Sequence, residues 1–296
     1  TPLCFTESWN IADNTFEAVV AHGYMLPDTI LAAAWVGKHN GMGLLQTVPT
    51  TSIGRGTTVA YNGEFRDFAV NGAYAAAVIN KSLPGTALQA WYYNVPDIAD
   101  AYWLQADTKL MGMVDLGVQF AGMSPDDSSN SLGATATNHR DTDAFSVKAA
   151  TAVGPVNVYA AYSSVSAGTI GFANVATGDK SMLYTTLGSI YMDGEIAAAP
   201  DTDAWKIGAS TKAVPGVTLS ASYAEAEVGN NEGTAGLVAG AATINTDFTA
   251  WDIVANTKVG PVDLTAIYTS FEKDVKATDT SDKTTDSLRI IASLKF

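Results

Sequence analysis

The chain has 296 residues and carries 30 Asp and Glu against 16 Lys and Arg, a formal net charge of −14. That balance excludes nucleic acid as a partner, because binding phosphate needs clustered Lys and Arg. Hydrophobic residues make up 47% of the chain, yet no run approaches the roughly 20 apolar residues of a membrane helix, so a helical membrane protein is excluded too.

Residues 1–14 (TPLCFTESWNIADN) are aperiodic and read as loop. The opening is neither a Met start nor a charged-then-apolar leader, so a signal peptide is expected to have been removed or never included. Cys4 is the only cysteine, which excludes an intrachain disulfide. It reads as a small buried residue, since no base adjoins it. Phe16 to Tyr24 has strand character, with Phe16, Ala18 and Val20 on one face and Glu17 on the other. Leu26-Pro27-Asp28-Thr29 is a tight turn, because Pro presets φ and Asp stabilises the bend. Thr29–Val36 returns. Residues 37–66 are unpatterned, and a hairpin follows from Asp67–Asn80 through Leu83-Pro84-Gly85-Thr86 to Ala87–Tyr93.

Further hairpins repeat this grammar. Ala101–Leu110 meets Val114–Met123 at Met111-Gly112-Met113. Ala144–Val153 meets Val156–Val165 at Gly154-Pro155. Asp203–Ala213 meets Val217–Ala226 at Val214-Pro215-Gly216, and Thr249–Lys258 meets Val262–Ser270 at Val259-Gly260-Pro261. In most of them apolar residues take every second place. The chain ends DSLRIIASLKF, in which Leu288, Ile290, Ala292, Leu294 and Phe296 alternate with mostly polar neighbours. Such an apolar-faced strand is an aggregation hazard in water. It is stable where the apolar face meets lipid and the other faces water inside a closed barrel.

Short Pro/Gly turns interleave with longer polar connections at 37–66, 94–100, 124–143, 166–202, 227–248 and 271–284. This is the asymmetry of an outer-membrane barrel, whereas a soluble β-sandwich has no reason to keep long loops at one end only. The expected fold is all-β, a transmembrane antiparallel β-barrel of about 13 strands in one domain, 1–296. Single-chain bacterial barrels have even strand counts with both termini periplasmic. An odd count therefore implies that an odd number of N-terminal strands lies outside the chain.

The repeated Leu-Pro-(Asp/Gly)-Thr turns and the run ALQAWYYNVPDIADAYWLQADTKL at Ala87–Leu110 resemble the OprD-type outer-membrane porins. The likeness is closest to the major outer-membrane proteins of Campylobacter-like bacteria. TPLCFTESWN followed by NTFEAVV resembles the segment where that family's inward-folded third loop meets its next strand. The resemblance implies an eighteen-stranded barrel, of which the last thirteen are here. It also implies bacterial outer-membrane localisation, often as a homotrimer. A terminal Phe resembles the signal read by the barrel assembly machinery, so Phe296 and Leu294 are the assembly-signal candidates.

A porin needs a polar lumen and a constriction rather than an active site. By alternation Lys109, Lys148, Lys206, Lys212, Lys258, Arg289 and Lys295 are expected to line the pore, as are Glu17, Asp107, Asp115, Asp252 and Asp263. Lys or Arg facing lipid near the midplane would cost about 2–4 kcal/mol. The family's selective members guide carboxylates along basic residues, and Lys148, Lys206 and Arg289 fit such a track. A charge-balanced wall is the simpler reading. The expected function is passive diffusion of small hydrophilic solutes and ions, with outer-membrane lipid as the surrounding partner. The alternatives are a channel selective for carboxylate-bearing solutes such as amino acids or peptides, an outer-membrane hydrolase, and an adhesin or phage receptor. A hydrolase needs a Ser–His pair, and no serine is placed beside His22. His22, His39 and His139 lack metal-ligand spacing, so no metal, cofactor or catalytic residue is assigned. Asp126-Asp127, Asp141 and Asp143 lack the DxDxDG spacing of a calcium loop. The connection 166–202 is expected to fold inward, because Met182-Leu183-Tyr184 through Ile190-Tyr191 is apolar. Acids in the outer loops (Asp126, Asp127, Asp141, Asp143, Asp179, Asp193, Glu195, Asp201, Asp203, Glu232, Asp247, Glu272, Asp274, Asp279 and Asp282) are expected to draw cations to the mouth and give a mild cation preference at low salt.

Overall fold

The computed structural model describes residues 1–7, 13–41, 64–69, 71–126, 139–188, 196–229, 245–276 and 283–294. These form one antiparallel sheet of fourteen strands. The first half holds β1 (Phe16–Leu26), β2 (Thr29–His39), β3 (Arg66–Asp67), β4 (Ala73–Asn80), β5 (Thr86–Val95), β6 (Ala99–Leu110) and β7 (Val114–Pro125). The second half holds β8 (Thr142–Val153), β9 (Val156–Val165), β10 (Thr202–Thr211), β11 (Val217–Val228), β12 (Thr246–Val259), β13 (Val262–Val275) and β14 (Lys283–Leu294). Among the described residues no helix is long and apolar enough to cross a membrane.

Each long strand pairs with the next in sequence, and the two-residue β3 pairs only with β2. The tight turns form where Pro and Gly predicted them. Met111 and Gly112 both take left-handed φ (51° and 71°), the two-residue geometry that matches strand twist and that glycine adopts without steric cost. Two expectations need correction. The strand expected over Asp67–Asn80 is interrupted, with β3 ending at Asp67 and β4 starting at Ala73. Residues 94–100 are no long loop: β5 and β6 are joined by Pro96, Asp97 and Ile98. Asp97 turns the chain at φ 62°, which Asp tolerates better than most residues.

Directly opposed residues share a face, so register assigns sides throughout. One face is greasy: Trp35, Leu104, Phe120, Ile207, Trp251 and Ile290 are all exposed on it. Near the long-loop end this face carries tyrosines bonded to carboxylates. Tyr92 donates to Asp100, Tyr102 to Asp143, Tyr162 to Asp203, Tyr223 to Glu225 and Tyr268 to Asp286. The amphipathic phenol suits a belt where hydrocarbon gives way to water.

The hydrophobic core lies on the other face, where two non-strand segments pack. One cluster joins Leu3, Ile170, Phe172 and Leu183 to Tyr93, Ala101, Trp103, Met123 and Val165. A second joins Leu187, Ile196 and Ala197 to Ala204, Ala224, Val228, Phe248 and Phe271. Burying a side chain such as Leu187 or Phe172 contributes about 1.5–3 kcal/mol. The described parts of the connection, 166–188 and 196–202, thus fold inward, with Leu183 and Leu187 buried; Ile190 and Tyr191 lie outside the described residues. Among the described residues no ladder joins β1 to β14. With thirteen long strands alternating in direction, those two edge strands run the same way.

Candidate functional site

The interior is built from the inner wall and two inward segments locked to each other. Glu7 is fully buried. Its carboxylate accepts bonds from Asn174 Nδ2 (2.8 Å), Thr177 Oγ1 and Lys180 N (3.2 Å). Val175 N donates to Leu3 O at 2.9 Å, and Asn174 Nδ2 also donates to Phe5 O at 2.9 Å. Asn14 closes the local loop by accepting from Glu7 N at 2.7 Å. Charge-assisted bonds of this kind are roughly twice as strong as neutral ones.

Residues 182–186 then run as a strap across five strands, each of which contributes one side chain. Gln119 Nε2 on β7 donates to Met182 O (2.8 Å). Ser146 Oγ on β8 accepts from Tyr184 N (3.3 Å), and Asp107 on β6 accepts from Tyr184 Oη (2.9 Å). Ser163 on β9 bonds Thr185, and Lys206 Nζ on β10 donates to Thr186 O (2.7 Å). Tyr184 fits because position 117 is glycine: a Cβ there would stand 2.4 Å from its hydroxyl. Lys148 Nζ lies 4.3 Å from the Tyr184 ring centroid, a cation–π contact.

Asp107, Lys148 and Lys206, picked out as pore charges, thus meet at the strap, two as anchors and one against its tyrosine. Gln119, Ser146 and Ser163 were not singled out from the sequence. The signal for Ser146 and Ser163 is positional, since register sets Gln119 opposite Ser146 and Ser146 opposite Ser163.

Toward the short-turn end the wall is polar. Lys109 faces Asp115 across β6 and β7 at 2.6 Å, and Lys258 faces Asp263 across β12 and β13 at 3.6 Å. Both pairs are half-exposed, so each contributes at most about 1 kcal/mol. Their effect is to balance charge locally. Asp252 accepts from Thr269 Oγ1 at 2.6 Å. Arg289 lies opposite Ile267 on the same face. Lys212 follows the end of β10 and is exposed. Lys295 and Phe296 lie outside the described residues. Leu294 closes β14 opposite Val262, on the greasy face and half-exposed.

Glu17 is a correction. Phe16, Ala18 and Val20 line an interior cavity together with Leu3. Glu17 alternates with them and therefore points outward, 3.9 Å from Lys38. The apolar side of β1 turns inward, where Leu3 and Ile170 line the same cavity.

The histidines are scattered. His22 lies opposite Ala32, His39 is buried against Phe16 and Phe68, and His139 bonds the Asp126 carbonyl. Among the described residues no three His, Cys, Asp or Glu side chains converge to hold a metal ion. Of the expected outer-loop acids, Asp143, Asp203, Asp247, Glu272 and Asp274 sit on strands and face outward by register. They do not line a vestibule. Asp127, Asp193, Glu195, Glu232, Asp279 and Asp282 lie outside the described residues.

No protein-family model matches the sequence, and no curated protein matches it. Solved structures do. OccK3 of Pseudomonas aeruginosa superimposes with a TM-score of 0.72 at 13% identity, over 99% of this chain and 72% of that one. OpdK with vanillate, from the same organism, gives 0.70 at 14% identity, over 99% and 71%. OccAB2 of Acinetobacter baumannii gives 0.67 at 15% identity, over 98% and 69%. At these identities the likeness is one of fold: the chain has the barrel architecture of these outer-membrane porins.

Proposed function

We propose that this chain forms the wall and constriction of an outer-membrane porin that passes small hydrophilic solutes and ions by passive diffusion, without catalysis. The observation that carries the reading is the strap. A greasy-faced sheet holds, on its polar face, a segment stitched to five successive strands by Asp107, Gln119, Ser146, Ser163 and Lys206. Such a segment narrows an aqueous interior without blocking it. Purified full-length protein added to a planar bilayer is expected to give stepwise conductance. A protein that inserts but never conducts would overturn the reading.

Closure is part of the proposal. Since β1 and β14 run the same way, joining them directly would make a single parallel pair. An all-antiparallel barrel needs an odd number of additional strands between them. Thirteen strands of eighteen is about the share of OccK3 that the match covers, 72%. The Leu-Pro turns support a place near the Campylobacter-type porins, and with it the expectation of a homotrimer, of lipid as surroundings and of assembly by the barrel machinery through Phe296.

A selective version rests on Lys148, set beside Tyr184 on the inner face. The bound molecule in the OpdK structure, vanillate, is an aromatic carboxylate. Benzoate and lactate competing with ion current in wild type, and ceasing to do so in Lys148→Gln, would support carboxylate guidance. Equal competition in both proteins would leave general diffusion as the function.

A further inference from the structure

The strap covers only part of a polar row on the inner wall. Register sets Gln89 on β5 opposite Gln105 on β6, Gln105 opposite Gln119 on β7, Gln119 opposite Ser146 on β8, and Ser146 opposite Ser163 on β9. The strap is bonded to the Gln119, Ser146 and Ser163 end of this row. Gln105 and Gln89 carry the row past it. An indole N–H can only donate, so the amide atom that accepts from it is the oxygen. Trp103 Nε1 donates to Gln105 Oε1 at 3.1 Å, and Trp91 Nε1 donates to Gln89 Oε1 at 2.8 Å. Gln119 Nε2 reaches the same Gln105 oxygen at 3.1 Å, and Gln105 Nε2 donates to Asp107 Oδ2 at 2.6 Å. Gln119 and Gln105 thus engage their amide nitrogens within the protein. Gln89 does not: among the described residues its Nε2 has no acceptor. The half-buried Gln89 therefore turns two N–H donors, oriented by Trp91, onto the interior.

The full charges beside Gln89 are of both signs. Asp107 on β6 is level with Ala87, two residues along β5 from Gln89. Lys81, just past the end of β4, lines the same groove as Ala87 and Asp107. Diagonal neighbours such as Gln89 and Asp107 stand about 7–8 Å apart. Asp107 accepts from Tyr184 and Gln105, and each of its oxygens keeps a lone pair for a further donor. We propose, resting on the porin reading above, that Gln89 and Asp107 form a specificity site for neutral polyhydroxylated solutes of pentose size passing beside the strap. One hydroxyl oxygen of the solute accepts from Gln89 Nε2, and a second hydroxyl donates to Asp107. Hydrogen-bonding groups of this kind on a pore wall select among solutes of equal size. A polyether supplies the acceptor without the donor. A simple carboxylate also lacks the donor, and it meets the charge of Asp107.

The test adds arabinose, diethylene glycol dimethyl ether or butyrate to full-length protein in a planar bilayer and reads single-channel conductance, corrected for viscosity. Arabinose is expected to lower the wild-type conductance along a saturating curve. The ether and butyrate are expected to show no saturation over the same range. Gln89→Leu should shift the arabinose curve to about 3–10-fold higher concentration, the effect of one net hydrogen bond. Gln89→Asn, which keeps the donors and shortens the arm, serves if the leucine prevents insertion, as judged by heat-modifiable mobility. Trp91→Phe keeps a ring and removes the N–H that orients the amide. It should shift the curve in the same direction in wild type and add nothing to Gln89→Leu, which a merely structural role would not predict. Channels that conduct but show no saturation with arabinose would overturn the site and leave the porin reading standing. Equal saturation in wild type and both Gln89 variants, or butyrate saturating at lower concentration than arabinose, would do the same. A protein that inserts and never conducts overturns both.

Discussion

The inward connection is attached to the barrel in two different ways. From Met182 to Thr186 it is held by hydrogen bonds, one from each of five strands. At Leu187, and again at Ile196 and Ala197, it is held by burial, these residues packing against Ala204, Ala224, Phe248 and Phe271. The contrast separates geometry from energy. A hydrogen bond exchanged for one with water contributes about 0.5–1.5 kcal/mol net, but it has direction. A buried Leu contributes more and has none. The polar half therefore sets where the strap lies, and the apolar half keeps it there.

Breaking the apolar half should have the largest effect. Leu187→Ala is expected to weaken attachment by about 2–5 kcal/mol, the cost of a large-to-small change in a packed core. External protease should then cleave the segment much faster in intact cells while the barrel keeps its heat-modifiable mobility. If the cleavage rate is unchanged, the cluster does not hold the segment.

Glu7→Ala comes next. It leaves Asn174 Nδ2, Thr177 Oγ1 and Lys180 N without their shared acceptor, at a cost of about 1–3 kcal/mol. The expected result is a lower thermal midpoint and more channel noise, partly rescued by Glu7→Gln. An undisturbed midpoint would mean that the lock is redundant with the Leu3–Val175 backbone pairing.

Gly117→Val sharpens the comparison from the polar side. Its Cβ would meet the Tyr184 hydroxyl at 2.4 Å, so the tyrosine must leave Asp107. Stability should change little, because the apolar anchors persist. Single-channel conductance should shift, because Tyr184 moves within the interior. Unchanged conductance together with an unchanged midpoint would show that Tyr184 is not at the constriction.

The smallest effect concerns Cys4. Burial pushes its thiol up to about 12 from an ordinary 9.0. The folded protein therefore holds this proton where the unfolded chain releases it. The stability that results is present below about 9 and is lost as pH rises toward 12. Maleimide should label Cys4 slowly at pH 8 and quickly once the protein is denatured. Rapid labelling of the folded protein would contradict the burial.

Much of this was legible beforehand. Alternation located the strands, and Pro and Gly located the tight turns. What alternation cannot do is say which of two faces is inside. For β6 and β10 the charged face settled it, since Lys109 and Lys206 avoid lipid. For β1 the alternation points the apolar face to lipid, and it instead lines an inner cavity with Leu3 and Ile170. Nothing local to Phe16, Ala18 and Val20 signals that they share a cavity with an apolar segment. The strap's anchors were hidden for a related reason. Ser146 and Ser163 are ordinary hydroxyls until register sets them level with Gln119, and register emerges from the whole sheet. Residues 94–100 have the composition of a loop, yet Asp97 makes a tight turn there.

The tyrosine–carboxylate pairs of the outer belt change what bulk measurements of this protein report. Asp100, Asp143, Asp203, Glu225 and Asp286 are each bonded on the lipid-side face. The wall stands between them and the conduit, and screening limits their reach to about 8 Å at physiological salt. An isoelectric point near 4.4 and a fast migration toward the anode therefore owe part of their charge to this collar on the lipid-side face. If the chain forms the proposed channel, a permeating ion would meet the matched pairs Lys109–Asp115 and Lys258–Asp263 instead. Neutralising the collar residues should change how the barrel migrates in a native gel and leave its reversal potential where it was.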